Sequence, residues 1–173
     1  FAGPSFATRP RAALGVKLVE IVPEGLTKFL YTSGGASANE NAVKFARAYT
    51  GRNKILARYR SYHGATYGAV SLTGDPRRLA WEPTVMGGVV HFLDPFQYRS
   101  TFHRHNPNIT EELFSQDYLN HLEEIIKYEG PHTIAGILME TVTGTNGIII
   151  PPEGYLQGVR ELCDKYRIVM IAD

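Results

Sequence analysis

A chain of 173 residues with 43% hydrophobic residues is long enough to bury the core of one domain, and no stretch of it approaches the roughly 20 apolar residues of a membrane span. Its 18 basic and 17 acidic residues give a formal charge of +1, so its charge offers no basis for binding nucleic acid or an anionic membrane. The only cysteine, Cys163, excludes an internal disulfide, and a cytoplasmic setting is expected.

Helical patterns alternate with short apolar runs, which predicts an α/β fold with a mostly parallel sheet flanked by helices. In chain order we predict a helix over 10–21, a strand over 26–32, a helix over 37–49, a strand over 54–59, a short helix between Ala65 and Gly74, a strand over 88–93, an irregular segment over 94–108, a helix over 111–128, a strand over 133–140, a helix over 154–166 and a strand over 167–173. The last two strands are expected to be joined by a right-handed crossover.

Both ends of the sequence are those expected of a piece of a longer enzyme. The chain begins at Phe1 rather than at a methionine, and it stops at Asp173, directly behind an apolar run. A buried strand at that position is expected to lead into further structure.

Candidate binding residues follow the predicted strands, because ligands of open parallel sheets bind beyond the carboxyl ends of the strands. The first group is the turn Gly-Gly-Ala over 34–36. Ser37 and Glu40 have the spacing of a capping box, which predicts that a helix begins near Ala38. Small residues before a helix let an anion reach its backbone N–H groups, so this turn is a candidate phosphate site. A turn without a ligand is the alternative.

Aromatic and acidic residues follow the other strands. Tyr62 and His63 come after the second strand, where an aromatic ring is able to stack on a bound heterocycle; packing at a turn is the alternative. Glu140 and Asp173 end two very apolar strands, and buried carboxylates require a partner. A pyridinium nitrogen suits Asp173, because an ionised carboxylate keeps that ring protonated. The alternative for Asp173 is a helix cap or a loop anchor.

No metal site is expected. His103 and His105 lie two residues apart in the irregular segment, and nothing near them in the sequence completes a set of ligands at a recognisable spacing. We therefore expect both to be surface residues.

Taken together and in this order, the phosphate turn, the aromatic residue and the strand-end aspartate resemble the class III family of pyridoxal-phosphate-dependent aminotransferases, which have fold type I. The resemblance spans essentially the whole chain, through the segments PRAALGVKL, SGGASANENAVKFAR, YRSYHGATYG, METVTGTNGIIIPPEGYL and LCDKYRIVMIAD. Within the family the chain is most similar to ω-aminotransferases that use pyruvate as amino acceptor, such as taurine–pyruvate and β-alanine–pyruvate enzymes.

The resemblance implies roles for matching positions. The backbone amides of Gly35 and Ala36 would hold the cofactor phosphate, and the ring of Tyr62 would stack on the pyridine, with His63 completing that motif. Asp173 would pair with the ring nitrogen, and Glu140 would help to manage the charge of the substrate. Two positions depart from the family. Ser37 stands where relatives usually have Glu, and Arg167 replaces a common Gly, which strains the turn if it requires a positive φ.

The implied activity is transamination, in which an ω-amine or amino acid gives its amino group to a keto acid such as pyruvate, with pyridoxal 5'-phosphate as cofactor. Residues 1–173 then form part of the cofactor-binding large domain of a homodimer. None of the chain's lysines matches the family's Schiff-base lysine, which with the small C-terminal domain is expected beyond Asp173. The alternatives are an aminomutase or decarboxylating aminotransferase of the same family, and a non-enzymatic α/β module that binds a phosphorylated ligand through 34–36.

Overall fold

The computed structural model describes residues 6–81, 86–106 and 108–173. The chain divides into two compact units, Phe1–Thr32 and Ser33–Asp173, and each is described by itself. No helix in the described ranges is both long and apolar enough to cross a membrane.

In the first unit, helix α1 runs over Arg9–Val19. It has a proline in its first turn, where the missing N–H removes no helical hydrogen bond. The prediction of a strand over 26–32 is wrong, because this segment has no regular secondary structure. Its side chains Leu26 and Leu30 are 56% and 59% exposed, so the apolar run is not buried between strand neighbours.

The second unit contains a four-stranded sheet in which all pairs are parallel. The strands are β1 (Lys54–Arg58), β2 (Val89–Phe92), β3 (Ile134–Met139) and β4 (Val169–Ala172), in the spatial order β2-β1-β3-β4. Helices flank it: α2 (Gly35–Thr50), α3 (Tyr67–Leu72), α4 (Glu111–Glu129) and α5 (Tyr155–Tyr166). The predicted α/β fold with a parallel sheet is confirmed, and the segment predicted to be irregular holds only a 3-10 turn, at Gln97–Arg99. Residue 107 of that segment lies outside the described residues.

The helices cover both faces of the sheet. Val43 of α2 and Leu72 of α3 pack on one face, against Ile55 and Leu138. Residues of α4 and α5 pack on the other, where the buried side chains are Phe114, Tyr118, Leu122, Ile126, Tyr155, Val159 and Cys163. Cys163 is fully buried, and burial raises the pKa of its thiol to about 11.

The order of the strands identifies the edge of the sheet where a ligand is expected. The chain goes from β1 outward to β2, and then returns to β3 on the other side of β1. At such a switch point the loops that follow two adjacent strands separate and leave a crevice. The loops that follow β1 and β3 therefore begin beside each other, at the carboxyl end of the sheet.

Helix α2 begins earlier than predicted, and the predicted capping box is wrong. Its cap residue is Gly34, with φ 173° and ψ 172°, so Ser37 is already the third helical residue and caps nothing. The carboxylate of Glu40 instead contacts the start of α3, where it accepts hydrogen bonds from the hydroxyl of Thr66 at 2.5 Å and from the N–H of Gly68 at 3.1 Å. Helix α2 ends at Thr50, one residue beyond the predicted end, and is followed by Gly51 in the left-handed region.

Arg167 also ends its helix in the left-handed region. It follows α5 with φ 53° and ψ 49°, the conformation for which glycine is preferred. The strain that the sequence indicated at this turn is therefore present in the fold.

Candidate functional site

The loop over 61–64, which follows β1, connects the other strand ends. The N–H of Tyr62 donates to Oε1 of Glu140, at the end of β3, at 3.0 Å. Nδ1 of His63 lies 2.7 Å from Oδ2 of Asp173, directly after β4. Residues that end three different strands are thereby brought together around one short loop.

Asp173 forms a preorganised carboxylate. The His63 side chain is fully buried, whereas the Asp173 side chain is 27% exposed. Burial alone favours the neutral acid, but hydrogen bonds from His63 and Asn39 outweigh it and lower the pKa of Asp173 below its ordinary value. The carboxylate is therefore ionised at neutral pH and is held in place by these partners.

Asn39 links the pair to α2. Its side-chain N–H donates to the backbone carbonyl of His63 at 3.0 Å, and Asn39 is itself buried. The other nitrogen of His63, Nε2, is buried and has no hydrogen-bond partner in the described part of the chain. Because Nδ1 donates to an ionised carboxylate, the neutral imidazole has Nε2 as its unprotonated nitrogen.

The first turn of α2 packs directly on this loop. Gly64 has a φ of 131°, and a Cβ atom built there lies only 2.5 Å from Cβ of Ala36 and 2.9 Å from Cβ of Ala69. Glycine therefore permits both the backbone conformation and the close approach of the helix. A Cβ atom built at Gly34 or Gly35 meets nothing within 4 Å. The side-chain positions of these two glycines therefore border open space at the start of α2.

Glu140 is held at both carboxylate oxygens, since Oε2 accepts from the N–H of Gly144 at 2.7 Å while Oε1 accepts from Tyr62. Its backbone is held as well, by the fully buried Arg58 of β1. Nη2 of Arg58 donates to the carbonyl of Glu140 and, at 3.0 Å, to the hydroxyl of Thr143. Burial lowers the pKa of Arg58. The prediction from sequence missed Arg58, because a single arginine ending an apolar strand carries no motif.

Arg77 is the second residue that the sequence analysis missed. Its guanidinium lies over the ring of Tyr62, with Cζ 3.9 Å from the ring centroid. It also forms an ion pair with Asp75, whose carboxylate accepts from Nε at 2.8 Å. Only the spacing Asp-Pro-Arg, with Asp75 at the start of a 3-10 turn, hinted at this pair.

A large open cavity of about 900 Å³ lies elsewhere, beside the irregular segment. Its lining includes Arg60, Arg99, His103 and Arg104 but none of the residues around the loop over 61–64. The prediction that His103 is a surface residue is wrong, because its side chain is 8% exposed and lies against the ring of Phe114. In the described ranges no group of three or more His, Cys, Asp or Glu residues is placed to hold a metal ion.

The family model for aminotransferase class III matches residues 2–173. The chain belongs to this family. Hypotaurine/taurine–pyruvate aminotransferase of Paracoccus denitrificans is 36% identical over 173 residues, which are 96% of this chain and 36% of the relative. A probable aminotransferase of Mycobacterium tuberculosis is 34% identical over 97% of this chain and 36% of its own length.

Solved structures of family members have the same fold. Taurine:2-oxoglutarate aminotransferase from Bifidobacterium kashiwanohense, in complex with PLP and glutamate, is 45% identical with a TM-score of 0.88 and covers 100% of this chain. An (S)-enantioselective ω-transaminase from Thermomicrobium roseum is 37% identical with a TM-score of 0.89. The chain spans 39% of each of these two structures, so it corresponds to little more than a third of a complete family member.

Proposed function

We propose that the complete gene product is a pyridoxal 5'-phosphate-dependent aminotransferase, and that this chain supplies the surface to which the cofactor binds. One observation carries the proposal. The ionised carboxylate of Asp173 is held by His63 in the same loop that presents Tyr62 and contacts the first turn of α2. A flat, phosphorylated, basic heterocycle matches these three features.

The phosphate end is assigned to Gly35 and Ala36. The first N–H groups of a helix have no acceptor within the helix and carry partial positive charge. Gly34 and Gly35 place no side chain at the start of the helix, and their Cβ positions border open space, which favours the approach of phosphate oxygens. Helix α2 is 16 residues long, so its dipole is fully developed at this end.

The ring end is assigned to Tyr62, His63 and Asp173. When bound, pyridoxal phosphate supplies an electron sink for the substrate's reacting carbon. The cofactor is most effective in this role while its ring nitrogen is protonated. Asp173 holds that proton by its negative charge, and Nδ1 of His63 orients the carboxylate and keeps it ionised. Tyr62 provides an aromatic face for stacking.

Glu140 is assigned to the substrate side, where its negative charge helps to balance the charge of the bound substrate. Both of its oxygens already accept one backbone N–H bond, which fixes their position without neutralising the carboxylate. Arg58 fixes the backbone of Glu140 by donating a hydrogen bond to its carbonyl. The proton-transfer lysine of the family is expected from residues that this chain does not include.

The substrates we propose are an amine donor of the ω-amino type and a keto acid such as pyruvate. Taurine, hypotaurine, diaminobutyrate and γ-aminobutyrate, the compounds in the names of its relatives, all carry an amino group at the chain end remote from the acid. Pyruvate and 2-oxoglutarate are the acceptors in those names. Homodimerisation, a cytoplasmic location and the division into a large and a small domain are part of the same proposal.

The experiment is a titration of the purified complete gene product with pyridoxal 5'-phosphate, followed by visible absorption. The loaded protein is then given taurine or β-alanine together with pyruvate or 2-oxoglutarate, and alanine or glutamate is quantified. We expect saturable cofactor binding and amino transfer to one of the acceptors. Absence of binding would refute the proposal. Amino transfer coupled to release of carbon dioxide would instead identify a decarboxylating aminotransferase, and isomerisation without amino transfer would identify an aminomutase.

A further inference from the structure

Arg77 and Tyr62 make the tightest contact between a cation and a ring in the described residues. Cζ of Arg77 is 3.9 Å from the ring centroid, whereas the other such contacts lie at 5.2 to 5.7 Å. At this distance the guanidinium touches the ring, well inside the limit of about 6 Å within which a cation is attracted to an aromatic face. One face of the Tyr62 ring is therefore covered.

Arg77 is itself held by two loops. Its Nε donates to both carboxylate oxygens of Asp75, at 3.0 and 2.8 Å, and the Asp75 side chain is only 5% exposed. Its Nη2 donates to the hydroxyl of Thr145, in the loop after β3, at 3.0 Å. The amide of Asn146 reaches the same Asp75 carboxylate at 3.4 Å. The guanidinium is thus fixed in position and orientation before any ligand arrives.

Tyr62 is partly buried, and its backbone N–H is bonded to Glu140. Its hydroxyl makes no hydrogen bond within the described ranges. The guanidinium of Arg77 on one face of the ring therefore restricts rotation of the ring about its side-chain bonds. A side chain that is already ordered loses less conformational entropy when a ligand binds.

We propose that Arg77 is a positioning residue that clamps one face of Tyr62, so that the ring presents its opposite face, in a fixed plane, to the pyridine ring of the cofactor. This inference rests on the proposed function, because it takes the ligand that stacks on Tyr62 to be pyridoxal phosphate. Arg77 acts through Tyr62 and does not touch the cofactor. A direct role in binding a substrate acid fits the contacts less well, since Asp75 already balances its charge.

The test measures the dissociation constant of pyridoxal 5'-phosphate for the complete gene product and its variants. Arg77→Met keeps the length of the side chain and removes the charge, and Arg77→Lys restores the charge. Each is also made in a Tyr62→Leu background. Arg52→Met, which removes an arginine at the opposite end of the sheet, is the control. Thermal unfolding without cofactor is recorded for every variant.

We expect Arg77→Met to weaken cofactor binding about three- to tenfold, the size of an ordinary cation–π contribution. Arg77→Lys should recover part of that loss, because it restores the charge but not the planar group that Asp75 and Thr145 hold. In the Tyr62→Leu background the same substitution should change the dissociation constant less than twofold. Across these variants, the midpoint of thermal unfolding should not change in parallel with the dissociation constant.

Three results would overturn the inference while leaving the proposed function intact. One is an unchanged dissociation constant in Arg77→Met. Another is an equal loss with and without the Tyr62 ring, which indicates a general effect of charge. The third is a raised KM for the amine donor with unchanged cofactor affinity, which indicates that Arg77 binds substrate. No cofactor binding to the unaltered protein would refute both the inference and the proposed function.

Discussion

Asp173 and His63 are 110 residues apart in the sequence, yet their side chains lie 2.7 Å apart. The sequence was sufficient to select both, because each follows an apolar run that predicted a strand. It was not sufficient to pair them, since pairing depends on the order of strands in the sheet. Arg58 and Arg77 were missed for the same reason, as their partners Thr143 and Tyr62 come from other loops.

Replacement of Asp173 tests the ring end of the proposed site. Asp173→Asn keeps the size of the side chain and removes its charge, so a protonated ring nitrogen loses a charge-assisted hydrogen bond. We expect pyridoxal 5'-phosphate to bind about ten- to a hundredfold more weakly, since such bonds contribute about 1.5 to 3 kcal/mol. Asp164→Asn, at an exposed position on α5, is the matched control and should bind normally. Equal affinities for both variants would remove Asp173 from the site.

Gly64 tests the contact between the loop and α2. Gly64→Ala places a Cβ atom 2.5 Å from that of Ala36, in a backbone conformation with φ 131°. We expect the free energy of unfolding, measured in urea, to fall by about 2 to 4 kcal/mol, from overpacking and backbone strain together. Gly147→Ala is the matched control, because Gly147 has φ 117° and nothing within 4 Å. Similar losses in both would show that the close approach to Ala36 contributes nothing.

At the scale of elements, periodicity was a good guide wherever a segment is buried on one face or on both. The bounds of strands β1 to β4 and of helices α2, α4 and α5 lie within two residues of the predicted bounds. The strand over 26–32 failed because an apolar run predicts burial, and Leu26 and Leu30 are exposed. The capping box at Ser37 failed because spacing within a helix carries no information about α3, whose N–H groups bind Glu40.

Glu40 therefore gives α3 a cap from another helix. Hydrogen bonds from Thr66 lower the pKa of Glu40, against the opposing effect of burial, and bonds from the N–H groups of Ala69 and Gly68 lower it further. A carboxylate whose pKa is lower in the folded state stabilises the fold above its unfolded pKa of about 4.3, and that stability disappears as the pH falls through the folded pKa.

Glu40→Gln keeps an acceptor oxygen and removes this pH dependence. We expect a loss of about 1 kcal/mol in the free energy of unfolding at pH 7, typical of a cap, and a smaller loss at about pH 3, below the ordinary pKa of the carboxyl group. Urea unfolding at both pH values provides the measurement. Glu161→Gln, exposed on α5, should differ little from the unaltered protein at either pH. A loss in Glu40→Gln that is the same at both pH values would contradict the cap.

In the whole of the second unit, the polar groups at the two ends of the sheet have different roles. At the carboxyl end they form the candidate site around the loop over 61–64. At the amino end they form hydrogen bonds that connect separate segments of the chain. Nη1 of Arg52 lies within 3.0 to 3.2 Å of the carbonyls of Pro131, Ile134, Tyr166 and Arg167. One side chain thus joins the segments that enter β3 and β4.

Arg52→Met separates stability from binding. Loss of the guanidinium leaves carbonyls unpaired in a partly buried place, so we expect the free energy of unfolding to fall by about 1 to 3 kcal/mol. The affinity for pyridoxal 5'-phosphate should stay within twofold, because the substitution lies at the other end of the sheet. Calorimetry and a cofactor titration on the same sample measure both quantities. A weaker affinity at temperatures where the variant is folded would contradict this separation.

The central claim is tested most directly by a crystal structure of the complete gene product grown with pyridoxal 5'-phosphate. We predict that the ring nitrogen lies within hydrogen-bond distance of the Asp173 carboxylate, that the phosphate accepts from the N–H groups of Gly35 and Ala36, and that the ring stacks on Tyr62. A cofactor bound elsewhere, or with its phosphate away from the start of α2, would contradict it.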